Sequence, residues 1–104
     1  MGHRGSMILE IAILQVKAGQ EAAYEAALKE AYPIIGQSKG LISFEFQRCI
    51  ESKGRYVFLI KWETLEDHTV GFRGSAAYQE WRSRLHSFYD TSLVEHYELI
   101  PVSS

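Results

Sequence analysis

The chain has 104 residues, room for one domain and too few for two. Hydrophobic residues make up 46% and aromatic residues 12% of it, which excludes a disordered chain; in a domain this small such apolarity favours association with a second copy. The net charge of −2 excludes a general electrostatic attraction to nucleic acid or to an anionic membrane.

Residues 1–6 carry no apolar stretch of the kind a signal peptide needs, and their closing Gly5-Ser6 has the form of an expression-vector remnant, with Met7 as the native start. Ile8 to Val16 is aliphatic and β-branched, interrupted by Glu10 and Gln15, and reads as a strand. After the turn Lys17-Ala18-Gly19 the period changes. Tyr24, Ala27, Leu28, Ala31 and Ile35 recur at helical spacing, opposite Glu21, Glu25 and Lys29. Pro33 is expected to kink or loosen the last turn of this helix, and Gly36 and Gly40 mark its exit.

Residues 41–49 alternate, which places Ile42, Phe44 and Phe46 on one face of a strand and Ser43, Glu45 and Gln47 on the other. Glu51-Ser52-Lys53-Gly54 makes a hairpin turn into a second strand, 55–63. There Tyr56, Phe58, Ile60 and Trp62 share one face, and Val57 and Leu59 the other. Thr64-x-x-Asp67 resembles a capping box and opens a short helix on which Leu65, His68 and Phe72 share a face. Ser75 caps a further helix whose stripe is Tyr78, Trp81, Leu85 and Phe88. Residues 90–92 break the pattern, and 93–102 form the last strand. The order is β-α-β-β-α-β, which predicts a ferredoxin-like α+β domain over residues 7–104, with an antiparallel sheet and helices on one of its faces. The strands 8–16 and 55–63 are apolar on both faces, so the uncovered face of the sheet needs a partner, and a homodimer is expected.

No apolar run approaches the roughly 20 residues of a membrane helix, so no membrane association is expected. The single cysteine, Cys49, cannot form an internal disulfide, fits a cytoplasmic setting, and has no base near it in sequence to activate it. No Cys pair, His-x-His or His-x-x-x-His spacing suggests a metal site, and no Gly-x-Gly-x-x-Gly or P-loop suggests a nucleotide site. His68, on the apolar face of its helix, suits a base that takes a proton from a phenolic or enolisable substrate; it also suits a packed histidine bonded to nearby backbone. Tyr78 and Trp81 can bracket a planar ligand or simply fill the core, and Phe44, Phe72 and Trp62 share that ambiguity. Arg73 could face an anionic substrate or sit in a surface ion pair. His86 and His96 read as solvated or structural.

The stretch 62–82, with its strand-ending Trp62, helix-borne His68 and Ser75-x-x-Tyr78-x-x-Trp81, resembles the antibiotic biosynthesis monooxygenase family. So do the closing Val94-Glu95-His96-Tyr97-Glu98 and the entry Val16-Lys17-Ala18-Gly19-Gln20-Glu21 into the first helix. The resemblance implies a dimeric α+β barrel and a monooxygenase that needs no cofactor. In such a reaction a base, here His68, deprotonates a small quinol-like or polyketide-like aromatic compound, and the carbanion reduces dioxygen directly. Phe44, Trp62, Phe72, Arg73, Tyr78 and Trp81 would then bind the substrate. The family also holds haem-degrading enzymes, an isomerase of a small oxygenated metabolite, and proteins of no known activity, so a binding or stress-related protein without catalysis is the competing expectation. The haem-degrading branch carries an Asn on its first strand where this chain has Ala12. It also carries a haem-ligating His where this chain has Tyr78, so haem is not expected. Lys53-Gly54-Arg55-Tyr56-Val57-Phe58 faintly resembles an RNA-recognition motif, but the first strand offers no aromatic for a base to stack on, and no nucleic-acid partner is expected.

Overall fold

The computed structural model describes residues 7–102, so the reading of residues 1–6 as a vector remnant lies outside the described residues. Four strands, β1 (Ile8–Val16), β2 (Leu41–Arg48), β3 (Arg55–Trp62) and β4 (Tyr89–Glu98), form one antiparallel sheet in the order β2-β3-β1-β4. Helices α1 (Glu21–Ile35) and α2 (Ala76–Leu85) cover one face. This is the ferredoxin-like α+β fold.

The two faces of the sheet follow from the alternation of the strands. Inward on β1 point Ala12, Leu14 and Val16, and inward on β3 point Tyr56, Phe58, Ile60 and Trp62, all buried against Tyr24, Leu28, Ala31 and Ile35 of α1 and Trp81 and Leu85 of α2. Outward point Leu9, Ile11 and Ile13 of β1, Val57 and Leu59 of β3, and Leu93 and Tyr97 of β4. None of the described helices covers that face, and Leu93 and Tyr97 are about half exposed, at 53% and 48%.

Helix α1 runs through Pro33 to Ile35, and Gly36 N–H donates to the Tyr32 carbonyl at 3.3 Å. Two local expectations are corrected. Ile42 does not join Phe44 and Phe46. The register of β2 against β3 shifts between Leu41 and Ser43, and this irregularity leaves Leu41 packed on the core and Ile42 exposed. Strand β4 begins at Tyr89 and takes in residues 90–92, which pair with β1, and it ends at Glu98 rather than running on to 102.

The segment after β3 departs furthest from expectation. Thr64 Oγ1 does accept the Asp67 amide at 3.1 Å, as a cap should. The helix it opens then widens into a π turn over Asp67–Phe72, in which Arg73 N–H donates to the His68 carbonyl at 3.0 Å. Across this π turn His68 and Phe72 stay buried, whereas Leu65, ahead of it, does not share their face and is partly exposed. Gly40, at φ +80°, lets the chain pass hard against the Asp67 side chain, where a Cβ would collide, and its carbonyl accepts Glu63 N–H at 2.7 Å. The turn is thereby fixed against the end of β3. Among the described residues no helix is long and apolar enough to cross a membrane.

Candidate active site

Between the inner face of the sheet and the π turn and α2 lies a cavity of about 650 Å³. Its floor is Glu10, Ala12 and Leu14 of β1 with Phe58 and Ile60 of β3. Its walls are His68, Phe72 and Arg73 of the π turn and Tyr78 and Trp81 of α2. The mouth is polar, with Lys17, Arg82, His86, Asp90 and Ser92. A space of this size suits a small organic ligand of two or three fused rings.

The buried polar groups converge on one corner. Glu10 sits at an inward position of β1, in register with His96 of β4 on one side and Ile60 of β3 on the other. It is only 6% exposed, and its Oε1 accepts the indole N–H of Trp62 at 2.9 Å. His68, 3% exposed, brings Nε2 to 3.4 Å from the same oxygen and places Nδ1 2.8 Å from Nε2 of His96. Its ring stacks on Trp62, with centroids 5.3 Å apart and planes 19° from parallel. Both ring nitrogens of His68 are thus engaged, and the ring cannot turn without losing these contacts.

The charges in this corner follow from burial. Desolvation raises the Glu10 carboxyl above its ordinary range, against the opposing pull of the Trp62 N–H and the Arg73 charge. Desolvation also lowers His68, to about 4, with Arg73 and His96 pushing the same way. His96 is lowered by burial and by Arg73. The close Glu10–His68 approach is therefore not an ion pair at neutral pH, because the imidazole is uncharged. With Glu10 ionised and able only to accept, His68 carries its proton on Nε2, and His96 donates into Nδ1. At 3.4 Å the Nε2 contact is long for a hydrogen bond, so the carboxylate is only partly compensated. The three side chains are strung in a line and do not converge on a point, and no group of three or more such ligands among the described residues could hold a metal ion.

The expected site residues divide. His68, Phe72, Arg73, Tyr78 and Trp81 all line the cavity, Arg73 from an exposed position at its edge. Trp62 lies behind the cavity, fully buried, and supports its lining residues Glu10, His68 and Phe72 from behind. Phe44 is elsewhere: β2 is the edge strand farthest from β4, and Phe44 packs on Tyr32 of α1 beside a separate groove bounded by Glu25, Phe46, Arg48 and Tyr56. Glu10 and His96 were not singled out by sequence. The usable signal was a lone carboxylate at an inward position of an otherwise aliphatic strand; His96 becomes meaningful only once β4 is laid beside β1. His86 bonds the Arg82 carbonyl through Nδ1 at 2.7 Å, and Cys49 lies well away from the cavity, with Sγ 3.6 Å from Glu51.

Fold and site together define a ferredoxin-like domain with a ligand-sized cavity and a buried carboxyl–imidazole chain in its wall. The chain belongs to the antibiotic biosynthesis monooxygenase family, whose model matches residues 7–84. It is 47% identical over 93 residues to the uncharacterized protein YczJ of Bacillus subtilis strain 168, covering 88% of this chain and 98% of that one. A Bordetella bronchiseptica crystal structure assigned to the same family is 35% identical, with a TM-score of 0.86 over 91% of this chain and 98% of that one. SnoaB of Streptomyces nogalater, a cofactor-independent oxygenase, has a TM-score of 0.75 over 88% of this chain and 91% of its own. At 12% identity that likeness is one of fold alone.

Proposed function

We propose that the protein is a cofactor-independent monooxygenase of a small aromatic, quinol-like or polyketide-like compound. The observation that carries this reading is the titratable corner Glu10–His68–His96, set in the wall of a cavity whose other walls are Phe72, Tyr78 and Trp81. Aromatic walls suit a planar ring, and a partly compensated carboxyl group beside a neutral imidazole suits removal of a proton from it. Deprotonation gives a carbanion or phenolate that donates two electrons to dioxygen, forming a C–O bond and a peroxide that takes a proton. Loss of the second C–H proton with cleavage of the O–O bond releases water and leaves a carbonyl. The net change is a methylene plus dioxygen to a ketone plus water, with no external reductant. Arg73, a cation at the cavity edge, would favour negative charge on the peroxide or on a phenolate oxygen in this reading.

The test is oxygen uptake by metal- and flavin-free protein over a panel of hydroquinones and anthrones. Saturable uptake with oxygen from O2 found in the product, as in anthrone to anthraquinone, supports the reading; quinone and hydrogen peroxide from a hydroquinone without oxygen incorporation does not. Ligand-induced thermal shifts with no uptake on any of them would make the protein a binding module, and rearrangement without uptake an isomerase.

The working unit of this reading is a homodimer in the cytoplasm. The apolar outer face of Leu9, Ile11, Ile13, Val57, Leu59, Leu93 and Tyr97 supports a second sheet packed against it. Leu59→Arg would place a charge in the middle of that face, and sedimentation at micromolar concentration is expected to show monomer for the variant and dimer for the parent. A monomeric parent would remove the dimer from the reading.

A further inference from the structure

We propose that Glu10 is the general base of this site, and that His68 and His96 are positioning residues that orient its carboxylate. The inference rests on the oxygenase reading for its substrate class and on the geometry of the corner for everything else. His68 is the residue the sequence offers as base, yet neither of its nitrogens is free to receive a proton from the cavity: one faces Glu10 Oε1 and the other His96. Stacking on Trp62 keeps the ring in that plane.

Glu10 is arranged the other way. Its two protein contacts, Trp62 N–H and His68 Nε2, fall on Oε1, and Oε2 has no protein partner among the described residues. Tyr24 Oη and Ser38 Oγ are the side-chain polar atoms left both fully buried and without a partner among the described residues. Oε2, which also lacks a partner, is therefore reached from the cavity that Glu10 lines. Burial makes this carboxylate more basic than a surface one, which moves it toward the range in which a base works at neutral pH. The charged and titratable groups that face it are His68 from the π turn, His96 from β4 and Arg73 from the end of the π turn, with the Trp62 N–H from β3.

In the proposed step the substrate C–H or O–H proton moves to Oε2 and its electron pair stays on the substrate. Glu10, now a neutral acid, returns that proton to the peroxide oxygen once dioxygen has added. The His96 N–H into His68 Nδ1 fixes the ring so that its Nε2–H faces Oε1, leaving Oε2 turned to the cavity.

The experiment is enzyme-accelerated deuterium exchange at the enolisable carbon of anthrone in D2O without oxygen, run beside aerobic uptake, with anthraquinone affinity as the binding control. Glu10→Gln keeps an oxygen acceptor for Trp62 and is expected to lose exchange about 100-fold or more, to lose the ascending limb of the pH profile, and to bind anthraquinone within about twofold of the parent. His96→Ala is expected to lose about tenfold, keep an ascending limb displaced from that of the parent, and regain rate with added imidazole. Retention of more than about a third of the rate in Glu10→Gln overturns the proposal, as does total loss of rate and limb in His68→Gln while Glu10→Gln stays active. Should Glu10→Gln misfold, Glu10→Asp draws the carboxylate back from the cavity; about tenfold slower exchange supports the proposal and an unchanged rate overturns it. Oxygen uptake by the parent without accelerated exchange overturns the base assignment and leaves the oxygenase reading standing. Accelerated exchange without uptake, abolished in Glu10→Gln, does the reverse, and neither activity in the parent overturns both.

Discussion

Glu10 and Glu25 are two glutamates under the same sheet face, handled in opposite ways. Glu25, on α1, has both oxygens taken: Arg48 donates to each at 2.8 Å, and the Tyr56 hydroxyl adds a third bond at 2.7 Å. Those donors hold it well below the ordinary range, at about 2, so it is a carboxylate at every pH of interest. Glu10 is deeper, has one firm donor, keeps one oxygen without a protein partner, and is shifted upward. The saturated carboxylate pins α1 to the β2–β3 edge. The undersaturated one borders a cavity and is poised to change protonation state. Burial alone does not separate a structural carboxylate from a reactive one; the count of donors on each oxygen does.

The largest test of that contrast is functional. Glu25→Gln is expected to leave oxygen uptake within about twofold of the parent, set against the loss of 100-fold or more expected for Glu10→Gln, both read with an oxygen electrode on the best substrate of the panel. Equal losses would erase the distinction.

Trp62→Phe removes the single firm donor to Glu10 while keeping an aromatic ring beside His68. Its ascending pH limb is expected to move to higher pH, because a carboxylate without that bond is harder to ionise. Urea denaturation should show a loss of about 2 kcal/mol from the cut hydrogen bond and the smaller ring.

The pH dependence of stability sharpens the comparison further. Folded His68 titrates near 4 and the unfolded residue near 6.5, so the unfolded chain binds an extra proton in between. Stability should therefore fall as pH drops from 6.5 to 4, by at most about 3 kcal/mol from this group. Glu10 works against it: its raised value means the folded chain binds a proton first as pH falls, which offsets part of the loss above 4.5. Glu25 acts lower, its stabilisation present above 4.5 and lost as pH falls toward 2. Urea midpoints from pH 7 to 3 should flatten between 6.5 and 4 in His68→Gln and steepen there in Glu10→Gln. The smallest effect is expected from Glu25→Gln at pH 7, a drop in Tm of less than about 5 °C, because an exposed ion pair contributes little.

The fold was legible because its signals are local. The alternation of 55–62, the helical stripe from Tyr24 to Ile35 and the Ser75 cap each specify an element within a few residues. What escaped depends on partners or on exact angular advance. The irregularity that exposes Ile42 arises in pairing with β3, and the π turn over Asp67–Phe72 sits where Asp67 meets Gly40, a residue distant in sequence. The site was legible by half for the same reason. His68, Phe72, Tyr78 and Trp81 lie close together in sequence and on one face, so they could be read as a group. Glu10 and His96 stand at opposite ends of the chain and meet only because β1 and β4 are neighbours in the sheet. Phe44 looked equivalent to the other aromatics until the strand order put it at the far edge.

The most direct measurement is a crystal structure of the protein with anthraquinone or a reduced analogue bound. The rings are expected between Phe72, Tyr78 and Trp81, with the carbon that would lose its proton about 3.5 Å from Oε2 of Glu10. A ligand seated instead in the groove of Tyr32, Phe44 and Arg48, or held in the cavity with Oε2 turned away from it, would rule out Glu10 as the base.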